Sequence, residues 1–160
     1  AARKRLVYFG DSGGGEKDNI DLITSKWGEL NLESVYIGPD AHNVENSFTQ
    51  VYSWMPREKM YREILTPSDV LVIIRKQDLL NSSSFSTKFG EALSRGMRII
   101  CTAFPGLEIV EESIRKGQVL VIDYSTSIET IDSFLSSDLS EKYTNPLYAP
   151  NFKNELLICR

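Results

Sequence analysis

Histidine is almost missing from this 160-residue chain, where His42 stands alone. A single imidazole in a polar loop reads as a surface residue, and no hydrolytic triad presents itself. Cysteine is nearly as scarce. Cys101 lies in an apolar run and Cys159 near the end, without metal-ligand spacing, so they resemble a buried small hydrophobe and a tail thiol. No metal cluster is expected, and this cysteine usage fits a reducing, intracellular compartment. Long apolar runs are absent too. Nothing approaches the ~18 residues that span a bilayer, and no signal-peptide core follows the basic start, so no membrane is expected. Positive charge is in deficit, with 18 Lys and Arg against 22 Asp and Glu, a net charge of -4 and a pI near 5.1. That balance argues against a generic grip on nucleic acid, which needs clustered cations. The only basic cluster, "ARKR", opens the chain and reads as a solvated tail. The first residue is Ala, so a processed chain or a domain of a longer protein is expected.

What is present is a regular alternation. "RLVYFG", Arg5 to Gly10, is a short apolar run stopped by "DSGGG", as a buried parallel strand meets a loop. A helix follows over Asp18 to Leu30, with Ile20, Ile23, Trp27 and Leu30 at helical spacing behind an Asp18 cap. "LESVYIGPD" reads as a second strand and "AHNVENSFTQVYSW" as a polar, irregular loop. "MPREKMYREIL" starts a helix at Pro56 and puts Met60 and Ile64 on one face. "DVLVIIR" is the clearest central strand. After the loop "KQDLLNSSS", a helix from about Phe85 to Arg95 is closed by Gly96, and "MRIICTAF" is strand four. "GLEIVEESIRKG" gives a helix, "QVLVID" a fifth strand and "SIETIDSFLSS" a final helix.

Strands and helices at this spacing predict a single α/β domain, Rossmann-like or flavodoxin-like: a parallel five-stranded sheet with helices on both faces. The domain is expected over residues 1–140, with residues 141–160 as an extended C-terminal arm. Such sheets bind ligands beyond the carboxyl ends of their strands. The loops after Gly10, Arg75 and Phe104 should therefore converge. Ser12, Gly13, Gly14 and Gly15 offer backbone N–H groups before a helix, an arrangement suited to phosphate, although a plain glycine turn gives the same pattern. The segment is neither G-x-G-x-x-G nor a Walker sequence, and no cofactor is implied. In "NSSS", Ser82 and Ser84 could hold a phosphate or cap a helix.

"LVYFGDSGGG", "REILTPSDVLVII", "SSSFSTKFGEALSRGMRII" and "VIDYSTSIETIDSFL" together resemble, in order, the motifs of the nucleoside 2-deoxyribosyltransferase family, and more closely its nucleoside 5′-monophosphate N-glycosidase branch. The similarity runs to about Leu139. It implies the fold just deduced, cleavage of the N-glycosidic bond between base and deoxyribose, a nucleotide-like ligand and a homodimer in which the neighbour completes the site. On this alignment Tyr8 matches the aromatic at the sugar, Ser12 and Gly15 match loop positions near the ligand, Ser82 a phosphate-contacting serine and Asp69 the strand-opening aspartate. The signature glutamate falls at Lys88, the helix aspartate that handles the leaving base falls at Tyr61, and a phosphate-side serine often given by the partner falls near Gly117, beside Lys116.

The charge reversal at Lys88 carries the functional expectation. Glycoside cleavage passes through a cation-like sugar, so the site needs a carboxylate facing the anomeric carbon. A unit charge ~4 Å away is worth ~4 kcal/mol at an effective dielectric near 20, so exchanging attraction for repulsion raises the barrier by roughly 8 kcal/mol. That is about five to six orders of magnitude in rate. Three outcomes remain: Glu91, one turn on, supplies the acid; Lys88, with its pKa lowered, attacks as a Schiff-base nucleophile; or the site is a degenerate one that binds a nucleotide-like ligand, with Lys88 on its phosphate. The expectation is the last, a pseudoenzyme acting as a nucleotide-binding or protein-interaction module. "PSDVLVIIRKQDLLNSSSFSTKFGEAL" also resembles the strand, serine loop and helix of TIR-like domains, which cleave NAD or assemble in signalling, over a shorter match without their usual Trp before the catalytic Glu. A scaffold reading has Tyr143, Tyr148 and Phe152 docking the arm on a protein partner.

Overall fold

Short apolar segments pair side by side in a computed structural model of the chain, which describes residues 4–10, 28–74, 87–104 and 106–137. Strands β1 (Arg5–Phe9), β2 (Glu33–Gly38), β3 (Gln50–Ser53), β4 (Val70–Ile73), β5 (Arg98–Thr102) and β6 (Val119–Ile122) form one sheet. Its order is β3-β2-β1-β4-β5-β6, and every pairing is parallel. One line of register runs across it: Gln50 beside Val35, Val35 beside Val7, Val7 beside Leu71, Leu71 beside Ile99 and Ile99 beside Val119.

The sheet has six strands where the sequence predicted five. The extra strand, β3, lies inside the segment expected to be an irregular loop. At four residues with both ends exposed it carries little apolar signal, and as an edge strand it pairs on one side only. A four-residue helix, α1 (Ala41–Val44), also falls in that segment. It buries Val44 and leaves His42 exposed.

Alternation along the strands feeds two cores. Leu6, Tyr8, Tyr36, Val70, Val72 and Ile100 pack on one face with Val44 of α1 and with Ile131 and Leu135 of the last helix, α5 (Ile128–Ser136). Val7, Phe9, Val35, Ile37, Leu71 and Ile99 pack on the other face. There they meet Met60, and Phe89, Ala92 and Leu93 of α3 (Thr87–Ser94). Helices thus cover both faces. Burying side chains such as Phe89 and Leu93, both fully enclosed, contributes about 1.5–3 kcal/mol each. The helix expected at Pro56 is present as α2 (Arg57–Lys59), which runs directly into a π-helical turn, Met60–Ile64. In that turn Leu65 N–H donates to the Met60 carbonyl at 3.0 Å.

Two helices end alike. At the end of α3, Gly96 N–H donates to Leu93 O at 3.0 Å and Met97 N–H to Ala92 O at 3.1 Å. At the end of α4 (Glu111–Arg115), Gly117 donates to Ile114 O at 3.1 Å and Gln118 to Ser113 O at 2.9 Å. This paired bonding needs a left-handed residue after the helix, and Gly96 and Gly117 hold φ of 72° and 78°. Both turns deliver the chain to the amino edge of the sheet, where charged clamps close it. Arg5 donates to both Asp69 oxygens at 2.9 and 2.7 Å, to Ile64 O at 2.9 Å and to Gln50 Oε1 at 3.3 Å. Asp69, 1% exposed, also accepts from Thr66 N–H at 2.8 Å within the turn "TPSD". Hydrogen bonding to Asp69 is the main cause that raises the Arg5 pKa above its ordinary value. Arg98 lies 3.8 Å over the Phe134 ring and donates to Ser137 O at 2.6 Å and Gly117 O at 3.1 Å, tying α5 to β5 and β6.

Removing Arg5 strands the Asp69 carboxylate, whose side chain is 1% exposed against 19% for Arg5, so Arg5→Met should lower unfolding stability by about 3–5 kcal/mol in urea titrations. A second expectation concerns pH. Burial pushes the Cys101 thiol up from 9.0 to about 12. Above pH 9 the unfolded chain releases this proton and the folded chain keeps it, so the stability it confers is whole below about pH 9 and is lost as pH rises towards 12. Cys101→Ala should flatten the fall in stability over that window by up to about 1.4 kcal/mol per pH unit.

Candidate functional site

The strand order places β1 between β2 and β4, so the chain departs in opposite senses from the carboxyl ends of β1 and β4 and opens a crevice there. How the chain leaves β1 is fixed by β2. Gly10 N–H donates to Ile37 O at 3.0 Å, and its carbonyl accepts from the Tyr36 hydroxyl at 2.6 Å. That hydroxyl also accepts from Asp40 N–H at 3.3 Å. The approach requires glycine at position 38, because a Cβ there would collide with the Gly10 carbonyl and the Tyr36 ring.

Beside this lock lies a cavity of about 230 Å³ lined by Phe9, Gly10, Ile37, Trp54, Met55, Arg57, Met60 and Lys88. Its floor is the end of β1 and β2. The segment leaving β3 brings Trp54, which is 68% exposed at the rim, and the start of α2 brings Arg57. The first turn of α3 supplies Lys88, whose ammonium donates to the Phe9 carbonyl at 2.8 Å and sits 5.0 Å from the Phe9 ring centroid. Lys88 is half-buried. Among the described residues, two cations therefore border the cavity and no carboxylate lines it.

Glu91 is held next door. Its Oε2 lies 3.5 Å from the Arg57 guanidinium, near enough for attraction but too long for a hydrogen bond, and that oxygen is buried without a hydrogen-bond partner among the described residues. The Tyr61 hydroxyl, one turn along from Arg57, is likewise buried without a hydrogen-bond partner among the described residues. Burial, and then the Glu91 charge, push the Tyr61 pKa up to about 12. The Arg95 guanidinium lies over the Tyr61 ring, 3.9 Å from its centroid.

The other expected site residues scatter. Tyr8 is 2% exposed and stacks on Tyr36 in the opposite core, with centroids 5.9 Å apart, so strand alternation makes Phe9 the aromatic at the cavity. Asp69 stands at the amino edge, occupied by Arg5 and Thr66. Lys116 caps α4 at that same edge, exposed and remote from Lys88. Ser12, Gly13, Gly14, Gly15, Ser82 and Ser84 lie outside the described residues, as do most of the Asp18 helix and the arm with Tyr143, Tyr148 and Phe152. Phe104, expected to open a converging loop, packs edge-on against Phe89 in the core. The sequence reading missed Trp54 and Arg57. An aromatic and a cation flanking Pro56 at a helix start were the available signal, but it points to the cavity only once β3 is recognised as the strand before them.

Among the described residues no group of three His, Cys, Asp or Glu could hold a metal ion, and no helix is long and apolar enough to cross a membrane. No protein-family model and no curated protein matches the chain.

Gly38→Ala should displace the Gly10 turn and cost about 1–3 kcal/mol of stability through overpacking. Tyr36→Phe, which removes only the bond to Gly10, should cost about 1 kcal/mol. Both are read as shifts of the denaturant midpoint.

Proposed function

We propose that the cavity binds a phosphate-bearing, nucleotide-like small molecule without turning it over, a degenerate relative of the N-glycosidase sites that the sequence resembles. The observation that carries this reading is the position of the Lys88 ammonium, bonded to the Phe9 carbonyl at the cavity wall with Arg57 as the second cation. Glycosidic cleavage needs negative charge under the sugar, and here the acid nearest in sequence, Glu91, is engaged by Arg57. Two cations suit a phosphate instead. An ammonium serves as a point charge and a guanidinium as a planar fork. Trp54 at the rim offers a flat apolar surface to a base or sugar.

The chain is incubated with deoxynucleoside and ribonucleoside 5′-monophosphates and with NAD, while chromatography follows free base and calorimetry follows binding. Binding of a monophosphate without base release is expected, with affinity falling by about 10- to 100-fold in Lys88→Ala, the range for a hydrogen bond to a charged group. Base release abolished by Lys88→Ala would replace this reading with a lysine nucleophile. Release abolished by Glu91→Ala alone would make Glu91 the catalytic acid, and cleavage confined to NAD would favour the TIR-like reading.

A further inference from the structure

The cavity contains a cation that is already attached to an acid, and the attachment is poor. Arg57 is half exposed, faces the cavity, and meets Glu91 at 3.5 Å without a hydrogen bond to Oε2. One turn along, the buried Tyr61 hydroxyl also lacks a hydrogen-bond partner among the described residues. A buried donor and a buried acceptor, both unsatisfied, each cost free energy and are rare in folded proteins. Both lie close to Arg57 along the chain or in space: Tyr61 sits one turn on in the π-helical turn that directly continues α2, and Glu91, paired with Arg57, is one turn along α3 from Lys88. Widened helical turns of this kind occur often at functional sites.

The geometry points to an exchange: an anionic ligand held by Lys88 draws Arg57 off Glu91 into the cavity, and the released Glu91 carboxylate accepts a hydrogen bond from the Tyr61 hydroxyl. Glu91 and Tyr61 are positioning residues in this scheme, acting on the ligand through Arg57. Glu91 competes with the ligand for the guanidinium, while Tyr61 takes up the carboxylate that the ligand displaces. No covalent step is involved. The Tyr61 hydroxyl and the Glu91 carboxylate oxygen, each without a hydrogen-bond partner among the described residues, are those that the exchange would pair. This inference rests on the proposal that the cavity takes a phosphate-bearing ligand.

Ribose 5-phosphate, which carries the phosphate and no base, is the probe, titrated calorimetrically into the intact chain and its variants. Glu91→Gln should tighten binding by about two- to fivefold, the worth of a half-exposed ion pair. In an Arg57→Ala background the same substitution should change nothing. This separates exchange from a mere loss of negative charge, which would tighten binding in both backgrounds. Tyr61→Phe should weaken binding by a few fold while leaving the ligand-free chain at least as stable in urea, because the hydroxyl it removes has no partner there. A structural role for Tyr61 would give the opposite pair of results. If ribose 5-phosphate binds and Lys88→Ala weakens it, but Glu91→Gln does not tighten it or tightens it equally without Arg57, the exchange is overturned and the anion site stands. If neither ribose 5-phosphate nor any nucleoside monophosphate binds the unmodified chain, both proposals fall.

Discussion

The hydrogen bond from the Tyr36 hydroxyl to the Gly10 carbonyl holds the chain where it leaves β1, and the carboxyl edge is arranged around it. The bond can form only because position 38 carries no side chain. It fixes the direction of the backbone just past Phe9, whose carbonyl then faces Lys88. The tyrosine is itself fully buried, its ring stacked on Tyr8 and tilted against Phe48, so the hydroxyl is aimed by packing in one core while it shapes the wall of a cavity over the other.

Charge is handled differently at the two edges of the sheet. At the amino edge Arg5 and Arg98 are closed into multidentate clamps with Asp69, Ser137 and backbone carbonyls. Those contacts tie β1 to β4 and α5 to β5. At the carboxyl edge Arg57 and Lys88 border open space. Multidentate hydrogen bonding of a guanidinium gives geometric specificity and stability. A cation at the wall of a cavity keeps its field available to an incoming anion.

Much of the fold was legible because its local signals agreed. The β-branched run around Val70–Ile73, the glycines following α3 and α4, and the Ser127 cap of α5, which accepts from Thr130 N–H at 3.2 Å, all sit where periodicity and punctuation indicate. The strand β3 was not legible. Val51 and Tyr52 are good strand formers, but two such residues between polar neighbours give no period, and the strand is defined by its pairing with β2. The site was readable in part for a related reason. Lys88 stood out as a cation where the resemblance calls for a carboxylate, whereas Asp69, an equally conspicuous charge, proved to be part of an amino-edge clamp, a role set by Arg5 sixty-four positions away.

The sequence by itself determined the alternation of strand and helix, the parallel sheet and the sign of the charge at position 88, since each is written in neighbouring residues through periods of two and 3.6 and through the chemistry of a single side chain. The tertiary structure alone decided that Phe9 and not Tyr8 faces the cavity, that Arg57 meets Glu91 while lining the cavity with Lys88, and that the Tyr61 hydroxyl ends buried without a hydrogen-bond partner among the described residues. Those facts depend on how far apart separate elements come to rest. That distance is set by the packing of whole faces against the sheet, which no short stretch of residues contains.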